Sequence, residues 1–401
     1  MQRRQFIQLA GGGVVLAAGG NFLTDLGTAS AQSASGLEGN PFPAVAVQPW
    51  IDAASHADVR RFALAHALLA PNAHNRQPWL ADLRERDVIT LRVDPTRVLP
   101  ETDPFNRQIV ISVGAFLELL LIALAEKGVA ADVKLFPEGE YGQTIGPAEA
   151  RPMARVVLKP ALNPGAARDP LFAQITRRHT NKKPFDLARP IAAATTAALA
   201  QSLREPSVRF AVALDSAELA VLRTLATEAL RIELATARTS LESVKLLRIG
   251  AKQIAEHRDG ISMTALPMRL LDTLGMVSRT EAPKPGTYGF DSTLERFSLQ
   301  PQTAMGFVWL STSGNTRSQQ VAAGRAYVRL QLEATRLGLG MHPLSQALQE
   351  FPEMAKLYAE LHRRLAKPGE TVQMFCRIGY APASEKIPAT PRRDLPSIVR
   401  V

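Results

Sequence analysis

The chain has 401 residues, 46% hydrophobic and 21% charged, which suits a globular fold with a sizeable core and room for two or more units. Its net charge is +10, but the basic residues are scattered and only 6% of the chain is aromatic. That argues against a nucleic-acid-binding surface and leaves an anionic small ligand or a solvated basic surface.

At the N-terminus, Arg3-Arg4 precedes Gln5-Phe6-Ile7, a Gly/Ala-rich apolar stretch to Leu23, and small residues at cleavage spacing in Ala29-Ser30-Ala31. A cationic start, a short apolar run and such a site define a targeting segment over 1–31 that is not part of the fold. The arginine pair followed by Phe6 resembles a twin-arginine signal, with an ordinary secretory signal as the competing reading. The first reading implies the twin-arginine (Tat) export machinery as a partner and a periplasmic or secreted protein. Cys376 is the only cysteine, so no intrachain disulfide can form, which suits folding in a reducing cytosol before export. No membrane span is expected in the mature chain. The apolar run Gly114 to Ala125 carries Glu118 and is too short.

Residues 32–50 are rich in Gly, Pro and Ser and are expected to run over the surface. Phe62, Ala65 and Leu69 recur at helical spacing, Ser55 and Asp58 supply an N-terminal cap, and Pro71 bounds the helix. Leu80 to Leu83 and Val88 to Val93 flank a charged turn and read as a hairpin. Gly114 to Lys127 reads as a helix buried on most sides. Ala154 to Leu158 is a strand, and a Pro/Ala-rich connector covers 160–170. A helix after Pro190 to Leu203, a strand Val208 to Leu214 and one long helix Ser216 to Lys252 follow. Residues 256–300 read as irregular and are a candidate lid. Gly306 to Leu310 is a strand and Gly324 to Leu337 a helix. An internal repeat shows here: Gly114 opens one helix and Gly128 closes it, and Gly324 and Gly338 do the same for the other.

Two segments carry chemistry. In Arg177-Arg178-His179-Thr180-Asn181-Lys182-Lys183, residues Arg178, Thr180 and Lys182 alternate, so an extended backbone points them one way. Arginine, hydroxyl and ammonium groups together can grip a phosphate. A solvated basic turn is the competing reading. Arg392-Arg393 is a second cationic candidate, and an exposed tail competes there. In Pro71-Asn72-Ala73-His74-Asn75-Arg76-Gln77-Pro78-Trp79, prolines stiffen both ends, and Asn72, Asn75 and Gln77 offer amides that match the edge of a pyrimidine-like ring. Trp79 can pack beneath it. A capped helix-to-strand turn competes. No GxGxxG, GxxxxGK[ST], GxSxG or HExxH pattern occurs, and Cys376 has no partner of metal-ligand type, so no metal site is expected.

These motifs resemble the nitroreductase superfamily. Ala70 to Trp79 is similar to its A-P-S-x-x-N-x-Q-P-W loop, and Arg178-His179-Thr180-Asn181-Lys182 with Phe185 to its R-x-S-x-[RK]-x-F motif. Gly338-Leu339-Gly340 with Pro343-Leu344 resembles the family's loop after the central helix. Arg377-Ile378-Gly379-Tyr380 with Pro391-Arg392-Arg393 resembles its C-terminal ending. The resemblance implies an α+β nitroreductase-like fold with one FMN. The family's phosphate and loop motifs fall in reversed order here, which resembles the single-chain Acg branch. The implied organisation is a fused pseudo-dimer of halves 32–165 and 166–401.

By the same resemblance, Arg178, Thr180, Lys182, Arg392 and Arg393 hold the phosphate. Pro71, Asn72, Ala73, Asn75 and Gln77 contact the ring, and Pro343, Leu344, Ser345 and Gln346 form the loop at flavin N5. Asn72-Ala73 replaces two serines and Ser345-Gln346 replaces Glu-Gly. The implied activity is hydride transfer through flavin N5 from NAD(P)H to a nitro, quinone or other acceptor, with no catalytic side chain. An FMN-sequestering protein without turnover is the alternative, favoured by the lid and the altered N5 loop.

Overall fold

Two 20-residue helices, Arg107–Glu126 and Arg317–Arg336, cross in the middle of the molecule. The first is apolar along nearly its whole length and is buried on all but a few positions, as an element surrounded by protein must be. The second opens on a capping box, with Thr316 and Gln319 exchanging bonds between side chain and backbone. The computed structural model describes residues 39–160, 168–383 and 386–400.

The strands are β1 (Trp79–Asp82), β2 (Val88–Val93), β3 (Val129–Leu135), β4 (Ala154–Pro160), β5 (Val208–Ala213), β6 (Leu247–Ile249), β7 (Ile261–Met263), β8 (Gly306–Thr312), β9 (Gly340–Pro343), β10 (Thr371–Gly379) and β11 (Val399–Arg400). They form a five-stranded sheet in the order β11-β1-β2-β4-β3, a four-stranded sheet β5-β8-β10-β9 and a two-stranded ribbon β6-β7. The two larger sheets are antiparallel except where β11 joins β1 in parallel, pairing Ala81 with Val399. The first central helix packs on the five-stranded sheet in one apolar core, and the second lines another core with β8, β9 and β10. The fold class is therefore α+β, as expected.

The central helices meet at their glycines. A Cβ on Gly114 would stand 2.4 Å from the Val321 carbonyl oxygen, and one on Gly324 would stand 2.0 Å from the Ile111 oxygen. No side chain fits at either point. One sequence interval relates Ile111 to Val321 and Gly114 to Gly324, so the crossing is reciprocal. The same interval relates Arg107 to Arg317, which open the two helices. Arg107 reaches the carbonyls of Gln373 and Leu348 at 2.8 and 2.5 Å, while Arg317 reaches those of Phe105, Gly142 and Gln143 at 2.9, 2.7 and 2.8 Å. Arg107 thus reaches β10 and the turn after β9, and Arg317 reaches the segment before the first central helix and the one after β3.

Several elements differ from the sequence expectation. Gly114 and Gly324 lie inside their helices and mark the crossing; the helices begin earlier, at the two arginines. Ala44–Asp52 is helical, with Ala46, Val47 and Trp50 turned inward. The long helix from Ser216 breaks at Thr236, whose backbone is extended (φ −79°, ψ 106°). A second helix Ala237–Lys245, β6 and a third helix Gly250–His257 follow. The 256–300 segment is largely regular and contains β7 and helices Leu266–Thr273 and Tyr288–Gln302. The targeting segment and the 165/166 junction lie outside the described residues.

Candidate functional site

The cationic segment and the C-terminal arginine meet at the end of the helix Val59–Ala67. Arg178 donates to the Leu69 carbonyl at 2.8 Å, and Arg392 donates to Leu68 at 2.9 Å and Ala70 at 3.2 Å. The C-terminal carbonyls of a helix are a natural seat for cations. Both guanidinium groups also lie near the Trp50 ring, at 5.9 and 5.3 Å from its centroid. Each is 2% exposed, and neither forms a salt bridge with a carboxylate among the described residues. Burial lowers the Arg178 pKa to about 10, and burial together with the Arg178 charge pushes Arg392 well down. Arg178 Nε is buried without a partner, as is the nearby Tyr327 hydroxyl. Two adjacent buried cations with an unused donor and no acid make a site that an anion would complete.

Arg178 and Thr180 do share a side. Gln331 of the second central helix accepts from Arg178 at 2.9 Å and donates to Thr180 Oγ1 at 3.1 Å. Lys182 is exposed, and the backbone on either side of it is held by Arg377, which donates to the carbonyls of Asn181 and Lys183. The Lys182 charge is among the causes that lower the pKa of both His74 and His342. Burial comes first among the causes for His74, which falls to about 4, and its Nδ1 has no partner.

The Pro71–Trp79 loop uses its amides on itself and on the C-terminal segment. Asn72 accepts from Gln77 N at 2.7 Å. Asn75 donates to Pro391 O at 3.0 Å and accepts from Arg392 at 2.9 Å. Gln77, fully buried, donates to Arg258 O at 2.8 Å and accepts from Arg393 N at 2.8 Å. His74, Asn75 and Gln77 all have positive φ, at 47°, 52° and 51°, a conformation asparagine tolerates better than most residues. Side-chain bonds hold this tight loop in shape, and the Ala73 N–H donates to Ser112 Oγ at 3.1 Å.

Arg393 stands apart from Arg178 and Arg392. It donates to the carbonyls of Gln77 and Ser397 and lies 3.9 Å from Asp94. Nearby, Asp259 is 5% exposed and takes Arg76 at 3.1 Å, Arg97 at 3.0 Å and Arg248 at 2.8 Å. Gly260 N donates to Asn75 O at 3.2 Å. The start of the candidate lid is thus fastened to the Pro71–Trp79 loop.

Pro343 and Leu344 continue β9 beside β10, and Ser345–Leu348 forms a single 3₁₀ turn. Beneath it lies Glu233, 9% exposed, which accepts from Gln349 at 3.0 Å. Burial is the main cause that raises Glu233 to about 7; the Gln349 bond opposes it and the Glu242 charge adds to it. Sequence reasoning passed over Trp50, Gln331, His342 and Glu233, which lie outside the motifs; Trp50 fell in the stretch expected to run over the surface. An open groove between Pro100–Phe105 and Glu350–Glu353 lies elsewhere. There Arg238 pairs with both Glu101 and Glu353, so these charges answer one another.

Fold and site together describe an α+β protein with a recessed anion seat beside a stiff loop. No protein-family model matches the chain. It is similar to the protein named "Putative NAD(P)H nitroreductase Rv3131" of Mycobacterium tuberculosis, 27% identical over 348 residues, covering 86% of this chain and 91% of the relative. "Putative NAD(P)H nitroreductase acg" of the same organism is 28% identical over 359 residues, covering 86% and 96%. Among solved structures, the FMN-dependent nitroreductase NfnB from Mycobacterium smegmatis in complex with NADPH is 17% identical with a TM-score of 0.37, covering 57% of this chain and 96% of that one.

Proposed function

We propose that the protein is an FMN-binding, nitroreductase-like oxidoreductase. The observation that carries this reading is the Arg178–Arg392 pair, buried side by side over Trp50 without a carboxylate and with Arg178 Nε unused. The residues present fit a phosphate-bearing ligand. Arg178 and Arg392 would hold the phosphate, with Thr180 oriented by Gln331 and Lys182 adding its charge. The Pro71–Gln77 backbone and the Pro343–Gln346 turn would flank the ring. Arg393 would act by holding Gln77 in place. Bound FMN supplies two-electron transfer, here from NAD(P)H to a nitro, quinone or other small acceptor. The protein binds, orients and shields it, and no side chain is assigned a catalytic role. The nitroreductase relatives support this reading across most of the chain.

The halves 32–165 and 166–401 are read as a fused pseudo-dimer, supported by the reciprocal glycines and arginines of the central helices. Export through the twin-arginine machinery to the periplasm or beyond is part of the proposal and rests on Arg3-Arg4 and the segment that follows.

A second reading, FMN held with little turnover, is favoured by Gln346 in the turn and by the fastening of Arg258–Gly260 to the Pro71–Trp79 loop. Anaerobic mixing of the purified yellow protein with NADPH, NADH and dithionite separately decides between the two. Bleaching of the flavin band by a nicotinamide supports the oxidoreductase, and bleaching by dithionite alone supports the holding protein. A colourless protein that takes up no FMN overturns both.

A further inference from the structure

The site contains a histidine whose proton position is dictated by its neighbour. Arg377 is fully buried and donates from Nε to His342 Nδ1 at 3.1 Å. A guanidinium has no acceptor and stays protonated, so Nδ1 must offer its lone pair. The remaining ring proton then sits on Nε2, because a proton on Nδ1 would set two donors against each other. Arg377 is itself firmly placed. Its other nitrogens donate to the carbonyls of Asn181 at 3.1 Å, Lys183 at 2.8 Å and Gln300 at 2.8 Å. One arginine therefore ties the strand that carries His342 to the segment that carries Arg178, Thr180 and Lys182. The approach is close: a Cβ on Gly340 would stand 3.2 Å from Asn181 Nδ2.

His342 is 7% exposed, and its Nε2 has no protein partner among the described residues. The charged groups that act on it are Arg377 and Lys182, both cations, which with burial keep the ring neutral. His342 thus offers a fixed N–H donor; the Lys182 charge acts on both His342 and His74, whose Nδ1 is buried without a partner. His342 comes immediately before the Pro343–Gln346 turn.

We propose that His342 is a ligand-facing hydrogen-bond donor, presenting Nε2–H beside Lys182 to a carbonyl or anionic oxygen on the ring of the bound ligand. This rests on the FMN reading for the identity of that ring. It assigns His342 to the ring end of the site and separates it from the phosphate end at Arg178 and Arg392.

The test uses the full chain with ring-¹⁵N histidine. The His342 resonances are found among the seven histidines by their loss in His342→Asn, or by substituting the other histidines one at a time if that variant does not fold. Asparagine can keep an acceptor for Arg377 while removing the Nε2 donor. We expect the Nε2–H tautomer, unchanged between about pH 5 and 8, the range in which a free imidazole titrates. FMN and riboflavin should both move the Nε2 signal, and inorganic phosphate should not. His342→Asn should weaken FMN and riboflavin equally, by about 3- to 10-fold for one neutral hydrogen bond. Arg178→Ala should weaken FMN alone. An Nδ1–H tautomer, a ring that titrates in this range, or a static Nε2 signal while flavin fluorescence reports FMN bound each overturns the assignment and leaves the cofactor reading standing. Absence of any FMN-dependent fluorescence change overturns both.

Discussion

Two clusters of arginines in this protein answer opposite questions. Around Asp259, three arginines converge on one carboxylate, so each has an acid partner within the chain. Around Trp50, Arg178 and Arg392 lie together with no carboxylate partner among the described residues. The first arrangement is complete and acts as a fastener between the 258–260 segment and the Pro71–Trp79 loop. The second lacks such an acid, which is what the proposed phosphate would supply. Buried charge by itself is ambiguous; whether its counter-charge is already in the chain separates scaffold from site. Glu233 is the mirror case, an acid with no cation.

The comparison breaks most directly at the fastener. Asp259→Ala leaves Arg76 and Arg248 without their acid, while Arg97 keeps Asp94, and should destabilise the protein by about 3 kcal/mol, read from urea denaturation with or without FMN. An unchanged midpoint would mean that the cluster holds nothing together. Arg178→Ala should cost roughly 1.5–3 kcal/mol in FMN binding, the usual worth of a charged hydrogen bond, while the flavin-free protein unfolds at nearly the same temperature. Equal losses in both measurements would make Arg178 another structural arginine.

Glu233→Gln is read as a change of slope with pH. The Glu233 pKa is raised from 4.5 to about 7, so between those values the folded state keeps a proton that the unfolded state has released. Stability therefore falls as pH rises through that window, by roughly 3 kcal/mol in total. The variant should lose this slope, and parallel pH curves for the two proteins would refute the assignment.

Much of the scaffold was legible in the sequence. The hairpin of β1 and β2 followed from alternation around a charged turn, and the first central helix from its continuous apolar run. Period-two spacing correctly put Arg178 and Thr180 on one side, where Gln331 meets both. The break at Thr236 was hidden because Ala and Leu are good helix formers on either side of it, and the break is made by the backbone at one residue. The glycine repeat was visible, but its meaning was not: a helix crossing needs both partners in space. At the site, composition revealed amides and cations but not how they are spent. Asn75 and Gln77 are consumed by Arg392, Pro391, Arg258 and Arg393, distant in sequence, and the proton on His342 is decided by Arg377.

The parallel pairing of β11 with β1 has a consequence for timing. Ala81 waits for Val399, and the loop that begins at Pro71 waits for Arg392 to bind Asn75. Nearly the whole chain is synthesised before either partner leaves the ribosome. Long-range closure of this kind comes late in folding. Cofactor capture should accordingly be a post-translational event, and a ribosome-stalled chain lacking residues 392–400 should expose an unfinished sheet edge and bind no flavin.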